Sequence, residues 1–505
     1  MTMKHTITIL TALLLVSLAF PGFAAEARKP NLLIITVDDM SADSVGVFGC
    51  PVKDTTPNID RLAARGMRFH YAHTVVANCM PSRNVMWSGR YPHNNGVLGF
   101  DPIKKEDKDY PVLGDLLSEA GWFTGIREKV GHSTPYMPFP WGIILKKLPD
   151  GTTPHIKDAS SYGASTKQGI KAAKEAGKPF CLMMNISDPH TPFYKDGDPH
   201  VPSKVFTPDG IVVPGFLPDD PVVRKELARY YSTVRRADDA VGAILDALKT
   251  SGEETRTVIF FVSDHGMPLP FAKTQMYHHS TSTPLIVLWP GVTKAGAADR
   301  EHMISAVDFL PTLLDVLEIK QPPGFDGRSF APLLRGEKQE ARQMVFKEYD
   351  QNSGRQRTPM RAIQTRDWLY IFNPWSNGTR IMGGATAHTA TCNRMRQLAA
   401  ADPAVAARVA LFDHRKPEEA YFIGRDTDAL VNLIGEPEHR ERIAALAHLL
   451  GEWMVRTKDP LVDVFRKRDD AVYREKYMGE IEGVGGASRK ERKKGKQDMD
   501  GEKPE

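Results

Sequence analysis

Cysteine is scarce in this sequence, with four residues among 505. They are Cys50, Cys79, Cys181 and Cys392, and no two of them form a C-x-x-C pair. This number excludes a small scaffold held together by disulfides, and the spacing excludes the common zinc and thioredoxin-type motifs. The sequence leaves open whether any two of them pair in a disulfide.

An excess of charge of one sign is also missing. Lysine and arginine number 66 against 62 aspartate and glutamate, and the net charge of +4 is too small to predict nucleic-acid binding. The hydrophobic fraction of 41% and the charged fraction of 25% exclude collagen-like, coiled-coil and wholly disordered chains. The length predicts two or three domains, and the sequence shows no internal repeat.

Long apolar runs are absent beyond the N-terminus. Residues 7–20 are apolar with three interruptions, follow Lys4 and His5, and precede small residues around Ala24. The run is shorter than the ~20 residues that span a bilayer comfortably. This pattern predicts a signal peptide over residues 1–24, export to the periplasm or the medium, and no stable membrane insertion. An uncleaved anchor is the alternative interpretation.

The C-terminal residues 471–505 are interpreted as an extension with a charged tail. Residues 488–505 read SRKERKKGKQDMDGEKPE and have no apolar face, which predicts disorder. A solvated tail is the simpler interpretation, and contact with a polyanion is the alternative.

Three continuous apolar runs predict strands that are buried on both faces. They lie at residues 31–37, 180–186 and 257–262. Helical patterns between them cover residues 59–66, 112–121 and 226–250. This alternation predicts an α/β domain with a largely parallel sheet over residues 28–340, in which ligands bind beyond the carboxyl ends of the strands.

The pattern changes after about residue 340. Short strands are predicted at residues 344–349, 368–372 and 410–412, and an amphipathic helix at residues 440–455. These elements predict a smaller α+β domain with an antiparallel sheet over residues 341–470.

Two acidic residues, Asp38 and Asp39, follow the first buried strand. Adjacent strand residues point to opposite faces, so the chain must turn if both side chains are to reach one site. Unpaired buried carboxylates are costly, and a hard cation bound through oxygen would neutralise them. A solvated strand-to-loop turn is the alternative.

The strand at residues 257–262 ends in a similar way, with Asp264 and His265. Two such strand ends that converge would supply three carboxylates and an imidazole, a set that suits Ca²⁺ or Mg²⁺. His265 alone would also be explained as a hydrogen-bonded turn residue. Cys79 lies near Arg83, where it could be a thiolate of lowered pKa or a buried small hydrophobe.

The segment CMPSR at residues 79–83, continued by SGR at 88–90 and by Gly96, resembles the signature of type I sulfatases. In that family the cysteine is converted to formylglycine, an aldehyde whose hydrate is the nucleophile. The similarity extends from about residue 29 to 460. It implies an alkaline-phosphatase-like α/β fold, a sandwich with a large mostly parallel sheet flanked by helices. It also implies a formylglycine-generating enzyme as a partner during maturation.

The resemblance implies one calcium ion, and its ligands would be Asp38, Asp39, Asp264, His265 and the modified Cys79. It also implies that Arg83 holds the hydrate and that Lys273 binds the sulfate. Lys129 and His132 would be the family's Lys/His pair, in which Lys129 supplies positive charge. The leaving group would receive its proton from His190 or Lys273, and His132 is the candidate base for the second half-reaction. This sequence has Glu128 where the family has glycine, and one extra residue before His132.

Within the family, residues 228–291 are most similar to the sulfamidases, the N-sulfoglucosamine sulfohydrolases. That similarity implies a terminal N-sulfated glucosamine of heparin or heparan type as substrate. The candidates for a sugar subsite are His278, His279, Trp375 and His388, with a structural role the simpler interpretation of each.

Other functions stay open at this point. One alternative is an O-sulfatase acting on another sulfated polysaccharide, for example an algal one. A second is a phosphatase or phosphonate hydrolase of the same superfamily; such enzymes usually have threonine or serine where Cys79 stands and bind two zinc ions. A third is a secreted glycan-binding protein without turnover.

Overall fold

The computed structural model describes residues 29–487, without the side chains of residues 483–487. The predicted signal peptide at 1–24 and the predicted tail at 488–505 lie outside these residues. All four cysteines are unpaired thiols. Within the described part of the chain, no helix is both long and apolar enough to cross a membrane.

The strands of the structure are β1 (Asn31–Asp38), β2 (Met67–Phe69), β3 (Ala72–His73), β4 (Phe123–Arg127), β5 (Ile143–Ile144), β6 (Phe180–Pro189), β7 (Thr257–Ser263), β8 (Leu285–Leu288), β9 (Ala297–Asp299), β10 (Ile304–Ser305), β11 (Met344–Gln351), β12 (Arg357–Thr365), β13 (Leu369–Phe372) and β14 (Glu418–Tyr421). Eight of them form one large sheet in the order β5-β4-β6-β1-β7-β8-β2-β9. Its central strands β6, β1 and β7 are parallel, and every residue in them is buried. The three strands predicted from apolar runs are therefore confirmed.

The helices are α1 (Pro57–Arg65), α2 (Cys79–Ser88), α3 (Pro92–Asn95), α4 (Leu113–Glu119), α5 (Val130–Ser133), α6 (Ala159–Glu175), α7 (Pro221–Thr250), α8 (His278–Thr281), α9 (Phe309–Val316), α10 (Ala331–Leu334), α11 (Ala390–Leu398), α12 (Pro403–His414), α13 (Arg440–Thr457), α14 (Val462–Arg466) and α15 (Ala471–Ala487). The long helices α6 and α7 pack against each other and against β6. The helical patterns seen in the sequence correspond to α1, α4, α7 and α13.

A separate antiparallel sheet of four strands, in the order β11-β12-β13-β14, forms in the C-terminal part of the chain. The strand predicted at residues 410–412 is wrong, because these residues belong to α12. Asp402 caps that helix: its side chain accepts hydrogen bonds from the N–H groups of Ala404 and Val405. Pro403 occupies the first turn of the helix. This start signal favours a helix over a strand for the apolar run that follows.

Candidate active site

The site lies where β1 and β7 end side by side, with Val37 paired to Ser263. A register irregularity between Val37 and Asp38 interrupts the pairing of β1 with β6. Asp39 then adopts a left-handed backbone conformation, with φ of 73°. This is the turn that the sequence required, and it lets both carboxylates reach one site.

Cys79 is the first residue of α2, a helix in which every residue is buried. Its Sγ lies 3.4 Å from Nε2 of His265, 3.9 Å from Nζ of Lys273 and 4.0 Å from Oδ1 of Asp39. Burial opposes the thiolate, but the nearby Lys273 and His265 outweigh burial and lower the pKa of the thiol to about 5.

Three side-chain cations pair with the three carboxylates around Cys79. Arg83 contacts Asp38 at 3.3 Å and Asp264 at 3.1 Å. Lys129 pairs with the other oxygen of Asp38. The site therefore contains as many lysine and arginine cations as carboxylates.

The third cation, Lys273, approaches the carboxylate of Asp39, its Nζ lying 2.7 Å from Oδ2. Burial opposes the charged form of Lys273, but Asp39 and Cys79 raise the pKa of its ammonium well above the usual value. Lys273 therefore keeps its charge at any pH near neutrality.

The donor atoms of Asp39, Cys79, Asp264 and His265 all lie within 4.8 Å of one another, as a metal site requires. Nδ1 of His265 donates to the carbonyl oxygen of Gly266 at 3.1 Å, which leaves Nε2 directed at Asp39 and Cys79. A thiol is a poor ligand for a hard cation, whereas an oxygen at the same position would complete an oxygen-rich set. The residues therefore fit a calcium-type ion once Cys79 carries oxygen in place of sulfur.

The electrostatics of this cluster also favour a cation. Burial and the neighbouring carboxylate of Asp38 raise the pKa of Asp264. Burial opposes the imidazolium of His265, but Asp264 and Asp39 raise its pKa to about 9. Burial opposes the charged forms of Asp38 and Asp39 as well, but Lys129 and Lys273 keep the pKa values of these two carboxylates below the usual value. The protons are therefore held by Asp264 and His265, where a bound divalent ion could take their place.

Two further histidines were predicted from the sequence, and the structure places them differently. A nitrogen of His190 lies within 4.8 Å of donor atoms of Asp38 and Cys79. The imidazole of His132 packs edge-on against the ring of Phe100, with the two ring centroids 5.6 Å apart. Nδ1 of His132 is buried without a hydrogen-bond partner among the described residues. His190 thus lies at the cluster itself and His132 at its margin, near Lys129.

Sequence reasoning missed Asn185, which lies in the middle of β6 and is fully buried. Its Oδ1 accepts a hydrogen bond from Arg83 at 2.8 Å, and its Nδ2 donates to the carbonyl oxygens of Arg127 and Glu128. Glu128 and Lys129 both have a positive φ, of 56° and 51°. Asn185 therefore holds together the strained turn that presents Lys129. The signal in the sequence is a lone amide within the apolar run at residues 180–186, because a buried amide needs partners.

The four candidates for a sugar subsite do not form a group. Trp375 is fully buried, and His278 is hydrogen-bonded to Gln364. His279 lies between the carboxylates of Asp43 and Asp428, whereas His388 is exposed. The simpler structural interpretation therefore fits Trp375, His278 and His279.

Comparison with known proteins identifies the family to which the chain is similar. The profile of the family named Sulfatase matches residues 30–319, which is more than half of the chain. A second profile, N-sulphoglucosamine sulphohydrolase, C-terminal, matches residues 264–375. Both matched stretches contain Asp264, His265 and Lys273.

Individual relatives cover most of the chain. The human N-sulphoglucosamine sulphohydrolase is 27% identical over 86% of this chain and 92% of its own length. An ulvan-active sulfatase of Formosa agariphila is 24% identical over 86% of this chain and 76% of its own length. A solved structure of a protein in complex with its substrate, D-glucosamine-2-N,6-O-disulfate, superposes with a TM-score of 0.63. It is 19% identical, over 86% of this chain and 99% of that protein, and it shares the fold.

Proposed function

Because this chain belongs to the sulfatase family and is a hydrolase of sulfate esters or sulfamides, we propose that it desulfates a saccharide through a formylglycine made from Cys79. One calcium ion would be held by Asp38, Asp39, Asp264, His265 and the modified residue. The observation that supports this proposal is the position of Cys79 at the start of a buried helix, with its Sγ among a carboxylate, an imidazole and an ammonium.

Charge explains how such a site would accept its substrate. A sulfate group is anionic, so a nucleophile is repelled unless the sulfate oxygens are neutralised. Arg83, Lys129 and Lys273 already balance the three carboxylates, so a divalent ion would give the site a net positive charge. These charges are fixed in place before the reaction, which is the arrangement that stabilises a developing negative charge. The ion, when bound, would also polarise a sulfate oxygen.

The formylglycine would supply a hydroxyl nucleophile and a route back to the free aldehyde after the sulfate has left. The remaining chemistry is proton transfer by side chains of the chain. Nδ1 of His190 donates to the carbonyl oxygen of Thr191 at 2.7 Å, so the proton that can move is the one on Nε2. Asp39 raises the pKa of His190 to about 9, so the imidazole is protonated at neutral pH.

His190 is therefore a better acid for the leaving group than Lys273, whose pKa is higher still. His132 has the opposite character. Burial and the positive charge of Lys129 lower its pKa to about 4, so its imidazole is neutral and able to accept a proton. We assign His190 as the general acid and His132 as the candidate base of the second half-reaction.

The proposed substrate is a terminal N-sulfated glucosamine. Support comes from the human relative and from the C-terminal sulfohydrolase profile. The ulvan-active relative supports O-sulfate on another polysaccharide as the second candidate. The test is sulfate release from defined saccharides that carry N-, 2-O- or 6-O-sulfate, with protein in which conversion of Cys79 has been quantified by mass spectrometry. Release only from the O-sulfated isomers would overturn the N-sulfate assignment, and no release from any of them would overturn the proposed function.

Metal analysis separates a sulfatase from a phosphatase or phosphonate hydrolase of the same superfamily. We expect one calcium per chain after exhaustive dialysis. Two zinc ions, together with hydrolysis of phosphonate esters and not sulfate esters, would favour the other activity.

We also propose that the protein is exported, and that a formylglycine-generating enzyme of the host modifies it during maturation. N-terminal sequencing of protein from the periplasm or the medium should begin close to residue 25. A chain that stays in the cytoplasm with residues 1–24 attached would contradict export.

A further inference from the structure

The segment that carries His190 is fastened by a lysine from a different part of the chain. Lys157 lies in the loop before α6 and is 4% exposed. Its Nζ donates to the carbonyl oxygen of Ser187 at 3.0 Å, to Oδ1 of Asp188 at 2.6 Å and to the carbonyl oxygen of His190 at 2.7 Å. An ammonium has three protons, so all of its hydrogen-bonding capacity is used on the end of β6 and on His190.

The carboxylate of Asp188 is held on its other side by α7. Nε of Arg236 donates to Oδ2 of Asp188 at 2.7 Å. The same guanidinium donates to Asp198 at 2.9 Å and to the carbonyl oxygen of His200 at 2.8 Å. Asp188 thus lies between two buried cations, of which only Lys157 also contacts the backbone of His190.

This contact acts on the orientation of the imidazole. The ring of His190 is attached to a backbone whose carbonyl oxygen is fixed by Lys157, and Nδ1 is fixed by the carbonyl oxygen of Thr191. Only Nε2 remains to face Cys79 and Asp38. Proton transfer requires an acid within hydrogen-bond reach, and a displacement of about 1 Å can lower a rate by about 10²-fold.

We propose that Lys157 is a positioning residue for His190: it fixes the end of β6 and the residue that follows it so that the imidazole can protonate the leaving group. This inference rests on the proposed function and extends it by a residue that no sulfatase motif in this sequence contains.

The test uses substrates that differ in how much they need an acid. A nitrophenolate leaves without a proton, whereas a sugar alkoxide or amine does not. For Lys157→Met we expect kcat on a sugar sulfate to fall by about 10²-fold, within the range of general-acid catalysis, and kcat on 4-nitrophenyl sulfate to fall by less than about threefold. KM should change by less than about threefold on both substrates.

The double variant Lys157→Met/Asp188→Asn separates positioning from stability. In Lys157→Met the carboxylate of Asp188 would keep only Arg236 as a partner, and the double variant removes that carboxylate. Its melting temperature should therefore be higher than that of Lys157→Met and closer to that of the wild type. The defect on the sugar sulfate should persist, because the carbonyl oxygen of His190 still lacks its donor. Recovery of kcat together with the melting temperature would overturn the proposal.

Arg342→Met is the matched control. Arg342 is also a buried cation that pairs with one carboxylate, Asp308 at 2.8 Å, and donates to two backbone carbonyl oxygens, those of Arg328 and Ser329. The variant Arg342→Met should have a lower melting temperature, and any change in its kcat should be the same on both substrates. Equal losses of kcat on both substrates for Lys157→Met would overturn the positioning role. A wild type with converted Cys79 that hydrolyses neither substrate would instead overturn the proposed function.

Discussion

Two buried clusters of charge in this protein look alike at first and differ in what they can do. The strand-end cluster comprises Asp38, Asp39, Cys79, Asp264 and His265. The C-terminal cluster comprises His93, Glu348, Asp350, Arg361 and Asp459. Each brings at least three metal-ligating atoms within 4.8 Å of one another. Proximity of acidic and imidazole groups therefore does not by itself identify a functional site.

The partners of each group distinguish the two clusters. In the C-terminal cluster the guanidinium of Arg361 contacts Glu348, Asp350 and Asp459. Both ring nitrogens of His93 have partners, Glu348 at 2.6 Å and the carbonyl oxygen of Thr457 at 3.2 Å. Three carboxylates thus share one guanidinium and one imidazole whose hydrogen-bonding atoms are already engaged, which is the arrangement of a structural ion network.

In the strand-end cluster, by contrast, carboxylates converge on a cysteine. Nε2 of His265 lies within reach of Cys79 and of Asp39. The backbone is also strained here, with positive φ at Asp39, Glu128 and Lys129. Residues in this conformation tend to occur where the surrounding structure holds functional groups in place. A cysteine placed among these charged groups, with Asp39, His265 and Lys273 directed at its sulfur, distinguishes this cluster.

The largest effect should come from removing one charge from the strand-end cluster. For Asp39→Asn we expect kcat/KM to fall by about 10³-fold or more, together with loss of bound calcium, because a charged ligand of the cation is gone. Asp350→Asn in the C-terminal cluster is the matched control, and it should lower the melting temperature but leave kcat unchanged. Steady-state kinetics and metal analysis of both variants test this contrast, and equal losses of activity would contradict it.

A second comparison concerns stability. Arg361→Met leaves three buried carboxylates without their common partner, so the free energy of unfolding should fall by about 3–5 kcal/mol. The fraction that stays folded should retain its kcat, which denaturant titration and kinetics on the same sample would show. A loss of kcat without a loss of stability would show that the C-terminal cluster takes part in the reaction.

The smallest effect concerns the strain at Glu128. Glycine adopts a positive φ without steric cost, so Glu128→Gly should raise the free energy of unfolding by about 0.5–1 kcal/mol with activity unchanged. Glu452 is exposed to solvent and lies away from the ends of α13. Glu452→Gly should lower the free energy of unfolding by about 1 kcal/mol, because glycine is a poor helix former. Urea denaturation measures both, and a destabilised Glu128→Gly would show that its side chain matters more than its backbone.

Sequence reasoning predicted the centre of the fold well, because a strand buried on both faces leaves an unmistakable apolar run. It therefore found β1, β6 and β7 and the acidic residues at their ends. The strand β12 was missed, since its sequence RTPMRAIQT contains buried arginine and glutamine whose partners come from distant residues. Residues 410–412 are apolar and favour a strand when taken alone, but they lie in a helix that begins at the capping residue Asp402.

In the site, the motif identified Cys79 and Arg83, and the strand ends identified the acidic residues. The supporting residues Asn185 and Lys157 could not be found by motif. Asn185 acts through contacts with Arg83 and with the turn at Glu128. Lys157 acts through contacts with the end of β6, about 30 residues away in the sequence. Such roles depend on tertiary contacts, which leave no local pattern.

The central claim is that an aldehyde made from Cys79 carries out the hydrolysis. The most direct test measures sulfate release by samples in which different fractions of Cys79 are converted, obtained with and without a co-expressed formylglycine-generating enzyme. The converted fraction is measured by mass spectrometry of the peptide that contains residue 79. We predict that the rate is proportional to this fraction and falls to background for Cys79→Ala. Full sulfate release by protein without the aldehyde would contradict the account.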